Sequence, residues 1–110
     1  MNVKKCSKDA DIKRTLAGRI PKDMDLLMGI KEFCKSYGVK HGYIVGIEGS
    51  LKSTRFVYTI KDKKSNMGIT YSEPVMLSGF LEILAGQGLV GLDDKDGLSV
   101  DILLIVVMMF

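Results

Sequence analysis

One stretch of this chain has clear helical spacing, and that constrains the fold more than any other feature. Leu26, Leu27, Ile30, Phe33, Cys34 and Tyr37 recur at intervals of three and four, which gathers them into a single apolar stripe. Lys31, Glu32, Lys35 and Ser36 fall on the opposite face. Gly38 supplies the left-handed stop. Upstream, Asp23 is placed to cap the helix by accepting from the free backbone N–H groups of its first turn, with Asp25 adding favourable negative charge there. A helix polar on one side and apolar on the other needs a sheet to lie on.

The rest of the chain reads as strands and turns. Ile12, Leu16 and Ile20 alternate with polar residues, which predicts a half-buried strand over residues 11–20 that Pro21 ends, although Arg14 and Gly18 fall on its apolar side. After the helix, residues 43–47 are rich in β-formers and predict a short strand, with Glu48, Gly49 and Ser50 as a turn. Residues 51–60 predict one strand, residues 61–66 a polar hairpin loop, and residues 68–71 a short return strand. The apolar stretch 75–84 fits helix or strand by periodicity. Gly79 within it and Gly86 and Gly88 just beyond decide for strand, since each interior glycine costs a helix about 1 kcal/mol. Residues 89–92 predict a further short strand, residues 93–97 a hairpin turn, and residues 98–110 a final strand. One helix followed by a meander of strands implies an α+β domain with a mostly antiparallel sheet and the helix packed on one face.

A length of 110 residues fits a single domain, residues 1–110, able to bury a core without disulfides or metals. Sixteen basic residues nearly balance thirteen acidic ones, and the net charge of +3 is too small to argue for nucleic acid. Lys4, Lys5 and Lys8, and Lys61, Lys63 and Lys64, read as solvated loop surface. Cys6 and Cys34 are far apart, in no Cys-x-x-Cys, and the charged start has no signal-like character, so the expectation is a cytoplasmic protein with two free thiols. No run approaches the roughly 20 apolar residues that span a bilayer, so no membrane is expected among its partners.

Few residues carry an obvious chemistry. His41 is the one histidine, and a single histidine cannot build a histidine-based metal site. As an acid or base it needs a nucleophile or carboxylate beside it in space. Residues 46–50 place glycines where a strand turns, yet lack the lysine of a phosphate-binding loop and open no helix. Residues 93–97 begin like a calcium loop, but no glutamate closes the twelve-residue pattern. No catalytic residue is assigned.

Three segments in register nevertheless resemble one family. They are Arg19-Ile20-Pro21-Lys22-Asp23-Met24-Asp25-Leu26-Leu27, Gly46-Ile47-Glu48-Gly49-Ser50-Leu51, and Glu73-Pro74-Val75-Met76-Leu77-Ser78-Gly79 continuing to Gly88. Together they resemble the PPC domain, named for its conservation in plants and prokaryotes, in its stand-alone prokaryotic form. The resemblance implies a helix packed on an antiparallel sheet, assembly as a homotrimer, and a role as an oligomerisation and binding module with DNA or a regulatory protein as partner. It also offers an alternative: a metal-dependent or small-ligand-binding enzyme with a site between subunits near Arg19, Gly49 and Ser50. The plant members contact DNA through AT-hooks, and no Arg-Gly-Arg-Pro hook is present here.

The chain departs from the family pattern near its end. Many prokaryotic members place a histidine-x-histidine on the strand after the aspartate-rich turn and a glycine-glycine-histidine later, which together resemble a zinc or other metal site. Asp101 and Leu103 stand where the first two histidines would be, so no cofactor is expected here. Residues 102–110 form an unbroken apolar run where the family has a polar turn and closing strands, and those strands are expected to be missing. The codons of Met108-Met109-Phe110 read two bases on give Asp-Val, so a frameshift near residue 102 is expected, which resequencing of the coding DNA tests.

Overall fold

The computed structural model describes residues 2–109, so Phe110, the end of the predicted last strand, lies outside them. Among these residues a short 3-10 turn, Val3–Cys6, precedes one α-helix, α1, Leu26–Ser36. Six strands follow: β1 Gly42–Ile44, β2 Gly49–Phe56, β3 Thr59–Lys61, β4 Ile69–Tyr71, β5 Val75–Leu92 and β6 Leu98–Met109. Every strand pairing is antiparallel, and the architecture is α+β with the helix on one side of the sheet, as expected.

The long strand β5 is the axis of the molecule. β6 pairs along one of its edges, from Leu92 opposite Leu98 to Phe80 opposite Met109. β1 and β2 lie end to end along the other edge, Ile44 opposite Gly88 and Gly49 opposite Ile83. Residues 45–48 bridge the gap without pairing. Beyond the paired ends of β2 and β5, β3 and β4 make a separate two-stranded ribbon.

Several boundaries differ from the sequence reading, each for a tertiary reason. Residues 11–20 form no strand. They run along α1 instead: Gly18 leaves the space that the Phe33 ring fills, and Ile20 packs over Gly29, which is buried in the helix. The Arg14 guanidinium donates to the carbonyl of Tyr37 at the helix end. Asp25, not Asp23, caps the helix, its Oδ2 accepting from the Met28 N–H at 3.0 Å. A turn closed by the Met24 N–H donating to the Pro21 carbonyl delays the helix, and it puts Asp23 in the left-handed region at φ 67°. There the Asp23 carboxylate pairs with Lys52 and ties the helix entry to β2.

The predicted strand over 43–47 ends at Ile44, and Gly49 and Ser50 open β2 instead of forming a turn. The predicted strand 51–60 breaks after Phe56. The two strands expected over 75–84 and 89–92 are one. Gly86 does not interrupt β5, because its missing side chain makes room for others: a Cβ there would lie 2.7 Å from Ile47 Cβ and 2.8 Å from Leu104 Cδ2. The turn over residues 93–97 forms as predicted, with Asp93 Oδ1 accepting from the N–H groups of Lys95 at 2.9 Å and Gly97 at 2.8 Å.

The core is small. Ile30 and Cys34 of α1 pack against Val90 of β5 and Val100 of β6, ringed by residues that include Ile20, Leu26, Val39, Ile44, Ile47 and Ile102. Fully burying one such aliphatic side chain contributes about 1.5–3 kcal/mol. Leu81 and Ile83, further along β5, are also buried. Among the described residues no helix is long and apolar enough to cross a membrane.

Candidate functional site

Side chains of β6 alternate across the sheet. Val100, Ile102, Leu104, Val106 and Met108 turn toward the helix side, and Asp101, Leu103, Ile105 and Val107 turn away from it. Both sets are mainly apolar, a pattern expected of a strand covered on both faces. Among the described residues only one face has cover. On the other, Leu103 is 67% exposed and Ile105 58%. On β5, Phe80 and Leu89 join this open face, where Phe80 is 76% exposed, and the register shift between Ile83 and Ala85 adds the exposed Leu84.

Two polar pairs are set into this apolar surface. Tyr43 Oη of β1 donates to Gln87 Oε1 of β5 at 2.7 Å, and Ser50 Oγ of β2 donates to Glu82 Oε2 of β5 at 2.8 Å. Around the first pair lies an open hollow of about 350 Å³, with Tyr43, Gln87, Leu89, Asp101 and Leu103 at its walls. The Asp101 carboxylate and the Gln87 amide N–H groups have hydrogen-bonding capacity left for a group entering the hollow.

Asp101 and Leu103, the positions that the resemblance assigns to paired histidines, therefore lie together at this hollow. Among the described residues no three His, Cys, Asp or Glu side chains converge to hold a metal ion. His41 is exposed at the bend before β1. Arg19 lies elsewhere, at the mouth of a second open hollow of about 330 Å³ between residues 19–24 and α1, floored by Ile20, Gly29 and Phe33. Neither Gly49 nor Ser50 lines it. Gly49, at φ 139°, holds a backbone conformation that favours glycine and starts β2, while the Glu82 bond puts Ser50 on the open face. Tyr43, Gln87, Glu82 and Asp101 were not singled out as site residues by sequence reasoning. Tyr43 and Gln87 are 44 positions apart, and only the β1–β5 register brings them together.

Burial pushes the Cys34 thiol up from its ordinary value, which favours the neutral thiol on the sheet-facing side of α1. Cys6, by contrast, is exposed.

No curated protein and no solved structure matches the chain. A family model does, described as the Plants and Prokaryotes Conserved (PCC) domain, the domain also abbreviated PPC, and its match runs over residues 7–108. With one helix on an antiparallel sheet and a match over nearly its whole length, the chain belongs to the Plants and Prokaryotes Conserved domain family.

Proposed function

We propose that this chain is a self-assembling PPC-type module, a homotrimer held through the open face of its sheet, which once assembled binds a regulatory partner or DNA. The observation that carries this reading is the amount of surface left uncovered. The chain exposes 9740 Å². Scaling for a compact monomer of its 12.1 kDa mass gives roughly 6,000 Å². Its radius of gyration is 16.6 Å, where a compact chain of this length has about 13 Å. Large apolar side chains stand exposed on the open face, among them Phe80, Leu84, Leu89, Leu103 and Ile105, and an apolar face of this kind marks an association site. The copy number of three, and the choice of DNA or a regulatory protein as partner, come from the family resemblance.

Sedimentation velocity with light scattering tests the assembly. The expected mass is three times the 12.1 kDa of one chain. A species that stays at the single-chain mass up to high concentration overturns the reading. Titration of the assembled protein with a labelled DNA duplex then decides between the partners.

A second reading has one observation in its favour. The hollow beside Tyr43, Gln87 and Asp101 opens on the face that assembly covers, so a neighbouring subunit would close it into a small-ligand or metal-dependent site. Stoichiometric zinc in the purified protein supports this reading, and zinc at trace level argues against it.

A further inference from the structure

The ribbon formed by β3 and β4 is the least supported part of the molecule. It continues the β2–β5 pair past its end, joined by the Ser72 N–H donating to the Tyr58 carbonyl at 2.7 Å and the Tyr58 N–H donating to Ser72 Oγ at 3.1 Å. A two-stranded ribbon alone in water is marginal at best. This one also leaves its apolar residues uncovered: Tyr58, Ile60, Met67, Ile69 and Tyr71 are all exposed. Its tip is held in shape by the Asp62 N–H donating to the Gly68 carbonyl at 2.9 Å and by Asp62 Oδ1 accepting from the Lys64 N–H at 2.9 Å. The tip carries Lys61, Lys63 and Lys64 against the single acid Asp62.

At the far end of β5 the charges are reversed. The turn between β5 and β6 carries Asp93, Asp94 and Asp96 against the single base Lys95. Asp93 also ties it internally, accepting from the N–H groups of Lys95 and Gly97. The ribbon adjoins Val75 and the turn adjoins Leu92, the two ends of an 18-residue strand in a molecule 49 Å long. A basic end and an acidic end so placed cannot meet within one chain. They can meet between two.

We infer that the β3–β4 ribbon is an arm that docks head to tail on a second copy of this chain, its lysine tip against the Asp93–Asp96 turn of the neighbour. A contact between two different surfaces of identical chains is heterologous, and such contacts close into a ring when the rotation between copies allows. The contact covers the ribbon's apolar side chains and sets the orientation of the assembly. Complementary charge acts mainly on register and on encounter rate, so it makes association sensitive to salt. The inference rests on the self-assembly proposed above and specifies which surfaces meet.

Sedimentation of the full chain at low and high salt, with charge-reversal variants, tests it. Raising salt from about 50 to about 500 mM should weaken self-association about tenfold or more. At low salt, Lys61→Glu, Lys63→Glu and Lys64→Glu together should weaken it at least about tenfold, and so should Asp94→Lys with Asp96→Asn. Asn is chosen at 96 because that residue sits at φ 60°, which Asn tolerates. Both sets combined in one chain should restore assembly to within about threefold of the unmodified protein, which also shows that the reversed chain folds. Glutamine at the three lysine positions, which adds no new charge, should weaken assembly by a smaller factor. If either reversal assembles like the unmodified protein at low salt, the arm does not dock there. An unmodified chain that never assembles removes the self-assembly reading as well, whereas assembly indifferent to salt and to both reversals removes only the arm.

Discussion

The two faces of the β5–β6 pair are made of the same kinds of residue and have different fates. Val100, Ile102 and Leu104 lie on the side where Ile30, Cys34 and Ile47 pack, while Leu103 and Ile105, one position along, have no counterpart. Hydrophobicity therefore does not separate core from surface here. Cover does, and one eleven-residue helix can cover only part of one face. The lesson is that the chain holds enough apolar side chains for a protein buried on both sides, and supplies from its own length only one of the two layers needed.

The contrast can be broken most directly by deleting the same atoms on each side. Ile30→Ala should cost about 2–4 kcal/mol by leaving a cavity under the helix, whereas Ile105→Ala should change the folding of a single chain by less than about 0.5 kcal/mol. Urea melts, run dilute enough that chains stay apart, check this, and equal losses would erase the distinction between the faces. A smaller effect sharpens it by addition. Gly86→Ala drives a Cβ into Ile47 and Leu104 and should cost about 1–3 kcal/mol, whereas Gly91→Ala meets no atom within 4 Å and should be close to neutral. The same melts report it. The smallest effect is in the thiols. Burial raises the folded value of Cys34 above its ordinary 9.0, so as pH climbs past about 9 the unfolded chain loses a proton that the folded chain keeps. Stability contributed by Cys34 is therefore complete below that pH and is lost as pH rises toward the folded value. Stability measured across this alkaline range should lose that component of its slope in Cys34→Ala, and Cys6 should react with a thiol reagent long before Cys34 does.

What was legible in the sequence was local. The helix announced itself by spacing and by Gly38, which takes φ 65° as its terminating role requires, and the last hairpin by the turn chemistry of residues 93–97. What was not legible depended on residues far along the chain. Alternation over residues 11–20 suggested a strand, but a strand needs a partner edge, and this segment found a groove on α1 instead. Continuity of β5 through Gly86 depends on Ile47 occupying the space that glycine leaves, a contact no window of sequence contains. The site was less legible: of Arg19, Gly49 and Ser50, the residues named for it, Arg19 lies at the hollow beside α1 and Ser50 on the open face of the sheet. The pairs Tyr43–Gln87 and Ser50–Glu82 come from the register alone.

The end-to-end placement of β1 and β2 along a single edge of β5 also bears on the order in which the chain folds. β5 and β6 are joined by a tight turn, so their ladder can zip from Leu92 and Leu98 outward at little cost in loop closure. Ile44, in contrast, meets Gly88 only after the 43 residues between them have closed into a loop, and the helix finds its seat on Val90 and Val100 only once the first hairpin exists. Pairing of the edge strand β1 and docking of the helix thus both depend on the β5–β6 hairpin, whose two faces are apolar. An unseated hairpin of this kind is open to association with other chains, and it is the broken edge, Ile44 on Gly88 and Gly49 on Ile83, that closes it.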